Sequence, residues 1–240
     1  MSTIRMMALL VGLASLVGSV LSVRGGDRFP LRTLSRVWLG AKPTRGNVVV
    51  GIMAGFGSVL VIPLVALPLG LIRINLTLPI TLTWLGLAGA SVAIKATLVV
   101  FEEAIYRGSL CSELLRVMPA TLVVIFSALV FSGAHAGRSW LGLAILCVDG
   151  IGFAAAFLIL KSLWVPLIWH LSKNIAVWTL YGAGTLQLTP GPFRVEHLDP
   201  SWFLGSASGP GLGDLLVTSI VVGVVVVQLK RTDSLHASAS

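Results

Sequence analysis

Long apolar runs separated by short polar stretches make up most of this 240-residue chain. Seven runs come close to the roughly 20 residues that a helix needs to cross a bilayer. The pattern predicts an all-α fold, a polytopic transmembrane helical bundle of about seven spans. Hydrophobic residues make up 56% of the chain and charged residues only 11%, against about 25% charged residues in soluble domains. The predicted spans are Met6–Val23, Asn47–Ile72, Leu76–Val100, Pro119–His135, Ser139–Leu160, Ser162–Tyr181 and Gly213–Leu229.

Local features of these runs refine the expected bundle. The first run, Met6–Val23, follows a basic residue as a signal peptide would, but no small-residue cleavage site follows it, so we expect a retained span. Cleavage, or a role only as a signal anchor, is the alternative. Pro63 and Pro68 should kink the second span. The glycines in Gly51–Gly57 and Gly86–Gly89 are expected to permit close helix packing rather than to bind phosphate.

The charged residues predict an orientation and exclude one class of partner. The net charge is +8, but the basic residues lie mostly between apolar runs and do not alternate with aromatic residues. They are therefore expected to face anionic lipid headgroups, and we expect no nucleic-acid partner. The loop 24–45 is strongly basic, which predicts a cytoplasmic loop of a multi-pass protein in the cell membrane. Its cations are Arg24, Arg28, Arg32, Arg36, Lys42 and Arg45.

Three polar clusters interrupt the apolar runs: Glu102–Arg107, Phe131–His135 and His170–Asn174. An ionisable group at the centre of a membrane helix costs about 2.5–3.5 kcal/mol on insertion scales, so such groups point to function. At helical spacing the end residues of the second cluster share a face, and so do those of the third. Within the first cluster, Glu103 faces Arg107, whereas Glu102 points about 100° away. Three helices can therefore bring these groups to one buried pocket.

The residue types in these clusters suit water activation. A carboxylate beside an imidazole can take a proton from water, and a second imidazole with an amide can stabilise an oxyanion. Glutamate and histidine are also common zinc ligands, although the spacing lacks an HExxH motif. The two cysteines, Cys111 and Cys147, belong to no CxxC pair and indicate neither a disulfide framework nor a zinc site. The residues alone leave direct and metal-assisted hydrolysis equally open.

The ordered motifs EExxxR, FxxxH and HxxxN resemble those of the CAAX-protease and bacteriocin-processing family of membrane proteins, also called the abortive-infection family. The segment Ser162–Pro166 also resembles the family, and the resemblance covers about Val100–Trp178. It implies an intramembrane glutamate-type endopeptidase that acts without a metal or other cofactor. The implied partners are the lipid bilayer and a membrane-associated protein or peptide, cut near its C-terminus. We expect one transmembrane domain at 1–230, with its catalytic core at about 95–181 and a short disordered tail at 231–240.

The resemblance also implies a role for each motif residue. Glu102 would be the general base, and His135 would help it to orient the water. His170 and Asn174 would stabilise the oxyanion. The implied supporting residues are Glu103, Arg107 and Phe131.

Two alternatives to a protease share this sequence pattern. A non-catalytic membrane scaffold, or a bacteriocin self-immunity protein, would keep the family architecture without its chemistry. An ion-coupled transporter would use the buried glutamates and histidines as a relay. Three further charges lie within apolar runs, and we expect Lys173 to pair with Asp149 and Lys95 to pair with a carboxylate. A lysine directly before Asn174 departs from the family pattern, in which an apolar residue is more ordinary.

Overall fold

The computed structural model describes residues 43–76, 80–135, 138–182, 188–198, 201–205 and 210–238. The predicted first span, Met6–Val23, and most of the basic loop 24–45 lie outside the described residues. The elements, in chain order, are α1 (Arg45–Ala66), β1 (Ile72–Leu76), α2 (Leu82–Glu103), α3 (Ala120–Ala134), α4 (Trp140–Leu160), α5 (Trp164–Tyr181), β2 (Phe193–His197), α6 (Ser201–Leu204) and α7 (Leu212–Ser238).

The predicted all-α membrane bundle is confirmed. Four of the described helical stretches are long and apolar enough to cross a bilayer. They are Arg45–Ala66, Leu82–Leu114, Trp140–Leu160 and Leu212–Lys230. Helix α3 is apolar but has only 15 residues, and α5 carries the polar third cluster within its 18 residues. The total of seven spans stays a prediction.

The boundaries of the helices follow from local sequence. Hydroxyl side chains cap the first turns of α1, α2 and α4. Thr44, Thr81 and Ser139 each accept a hydrogen bond from the backbone N–H group three residues further along the chain. Helix α5 ends at Gly182, which adopts a positive φ of 58°. Helix α1 ends at Ala66, so Pro68 lies beyond the helix and cannot kink it as predicted.

The third span differs most from its predicted limits, Leu76–Val100. Helix α2 begins at Leu82 and runs past Val100, continuing as a π-helix at Ala104–Cys111 and as a last α-helical turn at Ser112–Leu114. The predicted end was wrong because Glu103 and Arg107, which follow Val100, are buried and paired inside the bundle. The backbone therefore remains helical through them.

Close contact between α1 and α5 depends on two glycines. A Cβ atom at Gly55 would lie 2.5 Å from Ser172 Cβ, and one at Gly51 would lie 2.9 Å from Ile168 Cγ2. The prediction of close packing is therefore confirmed for this pair, which has the small-xxx-small spacing of membrane helix interfaces. At Gly86 and Gly89 an added Cβ would meet no described atom within 4 Å, so close packing there stays a prediction.

A two-stranded antiparallel ribbon joins the ends of α1 and α5. Strands β1 and β2 pair from Ile72 opposite His197 to Leu76 opposite Phe193. The buried Ile72 packs with Ile62, Ala66 and Leu204, which fixes the ribbon on the bundle. Trp202 is 66% exposed, as a residue at the membrane interface would be.

The last helix extends beyond the expected span. Helix α7 begins at Leu212 and runs to Ser238, and it therefore includes most of the residues for which we expected a disordered tail. The main core lies among α1, the π-helix, α3, α4, α5 and α7, with Phe131, Phe153 and Trp169 as its largest fully buried hydrophobic side chains. Helix α2 meets α5 beside this core, at the first and third polar clusters.

Candidate active site

The acidic pair of α2 meets His170 of α5 inside the bundle. Nδ1 of His170 lies 2.8 Å from Glu103 Oε1, and Nε2 lies 3.6 Å from Glu102 Oε2. An ionised carboxylate only accepts hydrogen bonds, so Nδ1 carries the hydrogen that Glu103 accepts. The second contact is longer than a hydrogen bond. The structure therefore brings the first and third polar clusters together around one imidazole.

The two carboxylates differ in exposure. Glu103 is fully buried, whereas about a third of the Glu102 side chain (32%) is exposed. A group that takes a proton from water needs contact with water, and a group that orients an imidazole does not. The difference in exposure thus separates the two glutamates into an accessible acid and an internal one.

Arg107 compensates the buried charge of Glu103. Its Nη1 lies 3.1 Å from Glu103 Oε1, and both side chains are 0% exposed. Its Nη2 donates a hydrogen bond of 3.4 Å to the carbonyl of Gly150 in α4. The guanidinium also lies 4.5 Å from the centre of the Phe131 ring, which adds a cation–π contact. The pair that helical spacing predicts is therefore present, within a site shared by α2 and α4.

The π-helix begins directly after Glu103 and contains Arg107. Hydrogen bonds from residue i to i+5 are rare in proteins and are frequent at functional sites. Ser127 of α3 donates a hydrogen bond of 3.4 Å to the carbonyl of Tyr106 within this segment, so α3 supports the altered backbone. Sequence reasoning missed the π-helix, because helical spacing does not distinguish its turn from that of an α-helix.

Aromatic rings enclose the His170 side chain. The Phe153 ring stacks on the imidazole with 5.0 Å between centres and an interplanar angle of 17°. The Phe131 ring meets it edge-on, at 5.7 Å and 87°. His170 is consequently only 6% exposed, and rotation of its ring is restricted. Phe153 carries no motif, so sequence reasoning missed it as well.

His135 ends α3 and lies beside the same phenylalanine. Its ring centre is 4.8 Å from that of Phe131, and its Nδ1 lies 2.8 Å from the Phe131 carbonyl. Because a carbonyl only accepts, Nδ1 carries the hydrogen, and in the neutral imidazole Nε2 is then the acceptor. Among the described residues, His135 makes no hydrogen bond with Glu102. Phe131 thus lies between the two histidines and contacts both.

The remaining residues of the third cluster have separate surroundings. Asn174 lies one turn after His170 on α5 and is half-buried. Lys173 points to α4, where its Nζ lies 2.7 Å from Asp149 Oδ2, so the predicted Lys173–Asp149 pair is present. Lys95 is buried in α2, and the positive charges of Lys95 and Arg138 repel each other. Its pairing with a carboxylate stays a prediction.

Within the part of the chain that the structure describes, no group of three or more histidine, cysteine, aspartate or glutamate side chains has an arrangement suited to a metal ion. Of the potential ligands, Glu103 bonds to His170 and to Arg107, and Glu102 lies 3.6 Å from His170. The described residues of the site therefore supply acid–base and hydrogen-bonding groups.

Fold and site together define a helical integral membrane protein whose bundle encloses a carboxylate–imidazole cluster. Residues 83–176 match the family described as type II CAAX prenyl endopeptidase Rce1-like. This segment carries all three motifs, so the resemblance drawn from the motifs is confirmed by the family match. The chain has no significant match among curated proteins or solved structures. At the level of the family, the chain is therefore related to membrane endopeptidases.

Proposed function

We propose that this protein is an intramembrane glutamate-type endopeptidase that hydrolyses peptide bonds of a membrane-associated protein or peptide. The observation that carries the proposal is the meeting of Glu102 and Glu103 with His170 across α2 and α5. The family match over residues 83–176 supports the same kind of enzyme. The residue roles below are part of the proposal.

Glu102 acts as the general base because it is the more accessible of the two carboxylates. It accepts a proton from a water molecule whose oxygen attacks the carbonyl carbon of the scissile peptide bond. His135 orients that water through Nε2, the nitrogen that its bond to the Phe131 carbonyl leaves as an acceptor. Protonated Glu102 then gives the proton to the leaving amine as the carbon–nitrogen bond breaks.

His170 and Asn174 stabilise the oxyanion that forms during this attack. The role requires the imidazolium form of His170, in which Nδ1–H donates to Glu103 and Nε2–H donates to the oxyanion. Asn174, one turn further along α5, supplies its amide N–H. Because Phe131 and Phe153 restrict the ring, little reorganisation is needed when the oxyanion appears.

The proposed substrate is the C-terminal region of a membrane-associated protein or peptide, cut without a bound metal. The proposed location is the cell membrane, with the basic loop 24–45 on the cytoplasmic side. A cationic loop at that surface would also attract anionic lipids, and a substrate held at the membrane would be concentrated near the site.

The test is to replace Glu102 with glutamine and to measure cleavage by C-terminal proteomics and with a purified candidate peptide. Glu113→Gln is the matched control, because Glu113 lies on the same continuous helix outside the cluster, in a surface pair with Arg116. We expect Glu102→Gln to abolish cleavage, Glu113→Gln to retain it, and a chelator to leave the wild-type rate unchanged. Full cleavage by folded Glu102→Gln protein would overturn the mechanism. A chain that works in cells without Glu102 would instead be a scaffold or self-immunity protein.

A further inference from the structure

A second polar contact lies beside the proposed site, and the mechanism does not use it. Lys173 Nζ lies 2.8 Å and 2.7 Å from the two carboxylate oxygens of Asp149. The hydroxyl of Thr218 in α7 lies 3.4 Å from the same nitrogen. Asp149 is 2% exposed and Thr218 is 1% exposed, so the contact ties α4, α5 and α7 together inside the bundle.

This ion pair is connected to His170 by a continuous path of bonds. Asp149 precedes Gly150, whose carbonyl accepts a hydrogen bond from Arg107 Nη2. Arg107 Nη1 contacts Glu103 Oε1, and the same oxygen contacts His170 Nδ1. Every bond in this path joins side chains, or a backbone carbonyl, that are buried.

The path closes on itself, because His170 and Lys173 belong to the same turn of α5. Helix α5 is therefore held twice, to α2 through His170 and to α4 through Lys173. Arg107, in the π-helix that continues α2, bonds to α4. We propose that the Lys173–Asp149 pair is a positioning pair that keeps His170 at its place between Glu102 and Glu103. The pair fixes how α5 is rotated about its axis and where it lies along that axis. It does not contact the reacting atoms.

The geometry makes the pair suited to this role. The lysine nitrogen contacts both oxygens of the carboxylate at nearly equal distances, which restricts its position. Lys173 lies three residues from His170 and directly precedes Asn174, so a movement of α5 that releases Lys173 also displaces both proposed oxyanion donors.

The test must separate positioning from simple support of the fold. Removing one partner leaves an uncompensated buried charge, whereas an apolar pair of similar volume often keeps stability. The test variant is therefore the double substitution Asp149→Leu with Lys173→Met in the full-length protein. Its matched control is Glu113→Ala with Arg116→Ala, which removes the surface ion pair at 3.4 Å.

Two measurements are made on both double variants in lipid bilayers. The first is ¹⁵N NMR of the histidine side chains, with the His170 resonances assigned by their loss in His170→Gln. The second is cleavage kinetics, which rests on the proposed function. We expect the test variant to shift the His170 ring resonances and to lower kcat about tenfold with KM nearly unchanged, because small displacements at a reacting centre cost rate. The control should change neither.

The two measurements distinguish failure of this inference from failure of the proposed function. Unchanged His170 resonances in a folded test variant would overturn the positioning role, whatever the kinetics show. A shift of the His170 resonances in a chain whose wild type cleaves nothing would support the positioning role and contradict the proposed protease.

Discussion

At the residue scale, Glu103 connects the charged groups of the site. One of its oxygens, Oε1, lies 3.1 Å from Arg107 and 2.8 Å from His170. The other, Oε2, has no hydrogen-bond partner among the described residues, and neither does Nε of Arg107. A buried carboxylate is stable only when its charge is compensated, so Glu103 depends on these two contacts. In return it accepts the hydrogen of His170 Nδ1 and so orients the ring.

We predict that Glu103→Gln lowers cleavage because it disturbs the orientation of the site, although the proposed proton acceptor, Glu102, is still present. Glutamine keeps the shape but loses the charge, so Arg107 becomes a buried cation without its counterion and His170 loses its strong acceptor. Cleavage should fall between about tenfold and 100-fold, and stability should fall on the order of 3 kcal/mol. Kinetics and thermal unfolding in detergent check both effects, with Glu113→Gln as the control. Wild-type stability together with wild-type cleavage would show that the internal glutamate has no such role.

At the element scale, the motifs were predictable and their backbone was not. The spacing of Glu103 and Arg107 predicts a shared helix face, and the structure shows the pair. The π-helix that carries Arg107 depends on contacts from other elements, among them the bond from Ser127 to the Tyr106 carbonyl. The ribbon of β1 and β2 escaped prediction for a similar reason, since it pairs residues far apart in sequence. Phe153 could be predicted as apolar, but not as the ring that stacks on His170.

Helix α1 carries no motif residue, yet it determines where α5 lies. A Cβ atom at Gly55 would lie 2.6 Å from the Trp169 carbonyl oxygen and 2.8 Å from the Lys173 backbone nitrogen. These residues flank His170 on α5, and neither backbone atom can move without moving the helix. The close contact at Gly55 therefore makes the position of the proposed oxyanion donors on α5 depend on the position of α1.

We predict that Gly55→Ala destabilises the protein by about 1–3 kcal/mol, as overpacking of a close interface does, and lowers cleavage. Gly57→Ala is the matched control on the same helix, because its added Cβ would meet no described atom within 4 Å. Alanine is the better helix former by roughly 0.5–1 kcal/mol, so the control should be neutral or slightly stabilising. The measurements are the thermal unfolding temperature and the cleavage rate of both variants. Equal effects of the two substitutions would contradict the role of this interface.

At the scale of the whole molecule, the ribbon relates the ends of two helices. Strand β1 follows α1, strand β2 follows α5, and the two strands pair along their full length. The C-terminal ends of α1 and α5 must therefore lie on the same side of the bundle. The 18 residues of α5 span about 27 Å, close to the roughly 30 Å of the hydrocarbon core. Its N-terminal end, just after Lys161, then lies on the opposite side from the ribbon.

We predict that Lys161 faces the cytoplasm and that Arg194, in β2, faces outside. The basic loop 24–45 precedes α1 and should be cytoplasmic, which places the start of α1 and the start of α5 together on that side. The measurement is labelling of Lys161→Cys and Arg194→Cys with a membrane-impermeant maleimide, after replacement of Cys111 and Cys147. Intact cells should label only position 194, and permeabilised cells should label both. Labelling of position 161 alone would invert the proposed orientation, whereas equal labelling of both positions in intact cells would contradict a membrane-crossing α5.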